Sequence, residues 1–214
     1  STWYRLLRSH PRKCEGSPAK MFQIRIHGRG GQGVFTAAEM MSIAGFLEGR
    51  HAQAFPSFGS ERMGAPVMAF CRIDDREIRL REPVMAPDAL IIQDTTLLHQ
   101  VNLFEGVTQS GVVLINSTRN PSELGLDDLY EAHPGIRVLA VPASQLALEH
   151  VGRPLPNAAL LGGFAALTGL IRFESVAAAI EDKFHGRIAA GNVAAARAAH
   201  DQLVHQAPGA SKAC

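Results

Sequence analysis

The residues whose types and spacing could do chemistry gather between Phe22 and Thr36. Phe22, Ile24 and Ile26 alternate with Gln23, Arg25 and His27, the period-2 pattern of a strand. Where the alternation stops, Gly28, Gly30, Gly31 and Gly33 place four glycines within six positions. Residues without a Cβ let backbone N–H groups converge on one point and let a bulky anion approach, and a following helix adds its positive dipole end. The chemistry implied is binding of a phosphate. Gly28, Gly30 and Gly33 also match the dinucleotide fingerprint G-x-G-x-x-G in a strand-turn-helix setting. That fingerprint asks in addition for a carboxylate about 20 residues further on, at the end of the second strand. The expected second strand, Ala52–Phe55, ends in Pro56 with no carboxylate, and Glu48 precedes Gly49, still within the helix. The NAD reading therefore lacks its ribose anchor, while a purely structural turn, with the glycines serving helix–strand packing, stays open.

A second stretch runs from Pro56 to Pro66, too rich in Pro and Gly to form an element. Ser57, Glu61 and Arg62 put a hydroxyl, a carboxylate and a guanidinium in this one loop. Arg62 could take a phosphate or carboxylate with two hydrogen bonds, or pair internally with Glu61.

The elements that must position these residues read as an α/β chain. Thr36 to Leu47 spaces Ala37, Met40, Met41, Ala44 and Leu47 as a helix, with Gly49 as its stop. Val67–Ile73 and Glu77–Leu80 flank Asp74-Asp75 and are expected to form an antiparallel hairpin projecting from the sheet. Ala89–Gln93 and Gly111–Asn116 are near-continuous apolar runs, as in parallel strands covered on both faces. Asp94-Thr95-Thr96 and Asn116-Ser117-Thr118 follow them at strand ends, where ligands bind in open α/β sheets, although helix capping is the simpler role for Asp94 and Asn116. Ile136–Val141 reads as a further strand. Ser144–His150, Asn157–Thr168, Glu174–Phe184 and Asn192–Val204 read as helices, and Gly162-Gly163 allows another element or subunit to approach closely. The expected fold is thus an open, mostly parallel Rossmann-like sheet with flanking helices and an inserted antiparallel hairpin.

With 214 residues, 46% of them apolar, the chain can bury a full core. We expect a single domain over residues 21–206, a basic N-terminal extension over 1–20 and a tail over 207–214. The extension carries Arg5, Arg8, Arg12, Lys13 and Lys20 against Glu15, and Trp3, Tyr4, Leu6 and Leu7 could anchor it on another chain. A net charge of +1 gives no global field for nucleic acid or an anionic membrane. No apolar run is long enough for a transmembrane span or a signal sequence, so the expected location is cytoplasmic. Cys14, Cys71 and Cys214 are widely separated and form no C-x-x-C, and the nine histidines show no metal-ligand spacing. Any iron–sulfur cluster or other redox centre is expected on a different chain.

These motifs converge on a family. Ile26 to Ala38, Gln53 to Val67 and Pro156 to Gly162, in order and with few gaps between Met21 and Val204, resemble the gamma subunit of the thiamine-diphosphate-dependent 2-oxoacid:acceptor oxidoreductases, the pyruvate:ferredoxin oxidoreductase group. Met63 departs from a commoner arginine in the second motif. The resemblance implies an α/β subunit without a catalytic residue or bound metal of its own. It implies oxidative decarboxylation of a 2-oxo acid to its acyl-CoA by a complex with alpha, beta and ferredoxin-like delta subunits. Thiamine diphosphate, Mg2+ and iron–sulfur clusters would then lie on those partners, with ferredoxin or an NAD-reducing subunit as electron acceptor. By resemblance and position, Gly28, Arg29, Gly30, Gly31, Gln32 and Gly33, with Thr36 at the helix start, are expected to line a coenzyme A phosphate site. Ser57, Glu61 and Arg62 would complete the pocket or a subunit contact.

Overall fold

The computed structural model describes residues 21–57 and 63–206. The readings made for the extension 1–20, for Glu61 and Arg62, and for the tail 207–214 therefore lie outside the described residues. The described chain folds into one six-stranded mixed sheet whose strands run β1 (Phe22–Arg29), β2 (His51–Pro56), β3 (Pro66–Asp74), β4 (Ala89–Ile92), β5 (Val112–Asn116) and β6 (Arg137–Val141). Across the sheet their order is β2-β3-β1-β4-β5-β6. β1 pairs with β4, β4 with β5 and β5 with β6 in parallel, whereas β3 is antiparallel to both β1 and β2.

Alternation along the strands builds two cores. Ile24, Ile26, Ala69, Cys71, Ile73, Ile91 and Leu114 face the helices α1 (Val34–Leu47), α3 (Ala143–Val151), α4 (Asn157–Thr168), α5 (Phe173–Lys183) and α6 (Gly186–Gln206). On the reverse face Leu90, Ile92, Val113 and Ile115 meet Leu97, Leu103 and Leu129, the last from α2 (Asp127–Ala132). Burial of each such Leu or Ile contributes roughly 1.5–3 kcal/mol. β4 and β5 are covered on both faces, as their uninterrupted apolar runs imply.

One expectation about the antiparallel part needs correction. β3 does not pair with 77–80, because β1 takes one of its edges and β2 the other. Glu77–Leu80 forms no strand; Arg79 and Glu77 are exposed and pair with each other at 2.9 Å. The hairpin is β2 with β3, joined by the loop that carries Ser57 and Met63. In the sheet, β3 lies between β2 and β1.

Gly162 explains how α4 and α6 come so near. A Cβ there would stand 2.0 Å from the Ala196 carbonyl oxygen, closer than any atoms pack, so only glycine fits. The close approach expected from Gly162-Gly163 is thus to another element of the same chain.

Candidate functional site

β1 leads by way of α1 to one side of the sheet and β4 leads by way of a 3-10 turn (Thr95–His99) to the other, so the strand order reverses between them. Such a switch point leaves a crevice at the carboxyl ends of the strands. The glycine turn lies there. Gly33 is the N-cap of α1 with φ 70°, and a Cβ on it would meet the Asn157 amide nitrogen at 2.6 Å. A left-handed backbone and a filled approach both demand glycine. Gly30 donates to Ala65 O at 2.9 Å and accepts from Gly64 N–H at 3.0 Å, which ties the glycine turn to the loop after β2. The two stretches that stand out in the sequence are therefore adjacent in space. Gly28 lies against Val34, Gln32 and Gln93, and Gly31 against Met63.

The side chains of the turn are engaged within the chain. Gln32 Oε1 accepts the Arg29 amide at 2.8 Å, and Gln32 Nε2 donates to Asp94 Oδ2 at 2.9 Å. Arg29 Nε lies 3.2 Å from Asp94 Oδ2, and the guanidinium also donates to Thr96 Oγ1, Gln100 Oε1 and the Gly64 carbonyl. Burial would raise the Asp94 carboxyl, but the bonds from Thr96 and Gln32 and the Arg29 charge outweigh it and hold the group below its ordinary value. Asp94 also caps the 3-10 turn by accepting from the Thr96 amide, the capping role its position suggests. Asn116 does the same for α3, its Oδ1 accepting the Ser144 amide at 3.0 Å.

What the turn leaves open is its backbone. The first i→i−4 bond of α1 is Ala37 N–H to Gly33 O, so the amides of Val34, Phe35 and Thr36 have no intrahelical acceptor, and no side chain among the described residues caps them. They present donors at the positive dipole end of a 14-residue helix, an arrangement suited to an anion. Close by, Gln93 is 1% exposed with both side-chain amide atoms unpartnered among the described residues.

Beside this helix start opens a cavity of about 650 Å³, lined in part by Val34, Phe35, Ser57, Met68, Arg25 and His27. Ser57 is half-buried, its amide bonded to Met68 O at 2.9 Å. Arg25 and His27 are 6% and 4% exposed. Burial first, and the Arg25 charge second, push the His27 imidazole down to about 3. Strand alternation alone reads these two residues as the wet side of β1. The available signal was that a strand with neighbours on both edges and helices on one face must also have its other face covered.

Fold and site together define an open, mostly parallel α/β chain with its crevice at the switch point. A family model described as pyruvate ferredoxin/flavodoxin oxidoreductase matches residues 23–202, and the chain belongs to that family. It is 43% identical over 184 residues to the common gamma subunit of the pyruvate/ketoisovalerate oxidoreductases of Thermococcus litoralis, covering 86% of this chain and 98% of that one. The crystal structure of pyruvate oxidoreductase subunit PORC from Thermotoga maritima superposes with a TM-score of 0.73 at 32% identity, covering 86% of this chain and 97% of that one. The 2-oxoglutarate:ferredoxin oxidoreductase of Magnetococcus marinus, solved with 2-oxoglutarate, coenzyme A and succinyl-CoA bound, shares the fold at 18% identity and a TM-score of 0.66. That match covers 88% of this chain and 32% of the larger one. Among the described residues no helix is long and apolar enough to cross a membrane.

Proposed function

We propose that this chain acts as the gamma subunit of a thiamine-diphosphate-dependent complex that oxidatively decarboxylates a 2-oxo acid to its acyl-CoA, and that its own part is to bind coenzyme A and support assembly. Alpha, beta and ferredoxin-like delta subunits complete the complex, and ferredoxin or an NAD-reducing subunit takes the electrons. The 2-oxo acid is pyruvate, or a branched or aryl relative; the Thermococcus relative is named for both pyruvate and ketoisovalerate. Thiamine diphosphate with Mg2+, and the iron–sulfur clusters, sit on the partners and supply the decarboxylation and electron-transfer chemistry.

The observation that carries this reading is the uncapped start of α1, where the amides of Val34, Phe35 and Thr36 emerge from the glycine turn beside a ligand-sized cavity. Gly30, Gly31 and Gly33 keep the approach free of side chains. Thr36 adds a hydroxyl at the helix start and Ser57 lines the cavity, while Glu61 and Arg62, outside the described residues, follow Ser57 closely in sequence and are proposed to complete the pocket or a subunit contact. In this role the chain binds and orients the coenzyme and holds water away from its phosphates. A stand-alone NAD enzyme fits less well, because β2 is not adjacent to β1 and ends in Pro56, followed by Ser57, without a carboxylate. A purely structural role is favoured by one observation, the complete engagement of Arg29 with Asp94, Thr96, Gln100 and Gly64.

Acyl-CoA formation by the assembled complex carrying Arg29→Ala or Arg62→Ala separates the readings. Coenzyme A binding here predicts an apparent KM for coenzyme A raised about tenfold by Arg62→Ala, with that for the 2-oxo acid unchanged. An unaltered KM for coenzyme A in both intact variant complexes would leave only the structural role.

A further inference from the structure

The floor of the cavity is not used by the proposed phosphate site. Arg25 Nε–H donates to His27 Nε2 at 3.0 Å, and Arg25 Nη2 donates to the carbonyls of Leu103 at 2.8 Å and Glu105 at 2.7 Å. A guanidinium is a donor only, so Nε2 must present its lone pair and the imidazole proton must sit on Nδ1. Among the described residues that Nδ1–H has no hydrogen-bond partner, and His27 lines the cavity. Phe35, Phe70, Met68 and Met85 supply aromatic faces and thioethers, while Asn102 and Glu105 belong to the same lining. The volume of about 650 Å³ falls in the range of small-molecule sites.

This lining selects its occupant. An acyl chain would bury the Nδ1–H unpaired, at a cost of about 1–3 kcal/mol. A highly charged group would face Phe and Met walls. A flat, uncharged ring with an acceptor in its plane satisfies both the walls and the floor. Val34 and Phe35 line the cavity and also hold free amides of α1, so an anionic group attached to that ring reaches the helix start. We propose that the cavity takes the purine base of a phosphorylated nucleoside, with His27 Nδ1–H donating to a ring nitrogen. Asn102 and Glu105 are the partners for an exocyclic amino group, and Arg25 is the positioning residue that fixes the His27 tautomer. The proposal rests on the reading of the α1 start as a phosphate site.

The test uses the full chain labelled with 15N-histidine and two separate probes, adenosine 3′,5′-bisphosphate and 4′-phosphopantetheine. The bisphosphate should bind saturably and move the His27 Nδ1 resonance. Both His27→Phe and Met68→Trp, the latter at the exposed mouth, should weaken it about tenfold, the equivalent of one net hydrogen bond or a blocked entrance. Without ligand, Arg25→Gln should shift the ring proton from Nδ1 toward Nε2, and an unchanged tautomer would remove Arg25 from the scheme. Bisphosphate binding with His27 unmoved and Met68→Trp as tight as the parent would place the base elsewhere while leaving the phosphate reading intact. A His27 shift caused by 4′-phosphopantetheine would assign the cavity to the other arm and overturn the proposal. If neither probe binds, the phosphate reading fails and the purine site falls with it.

Discussion

Gln32 joins the glycine turn to the end of β4: its Nε2 donates to Asp94 Oδ2 at 2.9 Å while its Oε1 accepts the Arg29 amide at 2.8 Å. One amide side chain thereby fixes the backbone of the turn and the carboxylate that holds Arg29. A residue that offers only acceptors, or none, cannot do both.

Gln32→Ala removes two partly buried hydrogen bonds at once and should destabilise the chain by about 1–3 kcal/mol. Gln32→Glu keeps the acceptor for the Arg29 amide but sets a second carboxylate against Asp94, so it should be no better than alanine at neutral pH and should recover at lower pH as one acid protonates. Urea unfolding of the three proteins at two pH values checks the order.

Gly162→Ala forces a Cβ toward the Ala196 carbonyl oxygen, which belongs to helix backbone and cannot rotate away. α4 and α6 must separate, and the expected loss is about 1–3 kcal/mol or more. The urea midpoint should fall with an unchanged m-value. A midpoint within error of the parent would mean that the two helices do not approach as described.

His27 makes stability depend on pH in a defined direction. Its folded value of about 3 lies below the ordinary 6.5, so unfolding takes up a proton between those values. The stability tied to the neutral imidazole is complete above pH 6.5 and is lost progressively as pH falls toward 3. At about 1.4 kcal/mol per unit, the loss reaches a few kcal/mol by pH 4. His27→Gln, which cannot take up the proton, should flatten the pH profile of unfolding between pH 4 and 6.5; an equally steep profile would show that His27 is not the group responsible.

How much of this was legible in the sequence depended on how local each signal is. β1, α1 and α4 appear from alternation, glycine stops and apolar periodicity within single windows, and the structure places them where those signals do. The role of Asp94 as a cap is short-range and was equally readable, whereas Asn116 holds the start of α3 through Ser144, 28 residues on, a contact no local window shows. The pairing of β3 was not, because a strand pattern does not name its neighbours: β3 goes to β1 and β2, leaving the charged 77–80 stretch in solvent. α2 is six residues long, too short to show a helical period. At the site, the glycines were conspicuous by type, but the contact between their turn and the Gly64–Ala65 backbone is made by main-chain atoms that no residue pattern encodes. Gln93, Arg25 and His27 were missed for a related reason. Polar residues on strand positions suggest solvent until both faces of the sheet are known to be covered.

The most direct test of the account is hydrogen exchange at the amides of residues 31–36 in the assembled complex, with and without saturating coenzyme A. If the start of α1 holds a coenzyme A phosphate, exchange there slows on binding and the protection is diminished by Arg62→Ala. Unchanged exchange across residues 31–36, while acyl-CoA formation saturates normally, would contradict the assignment.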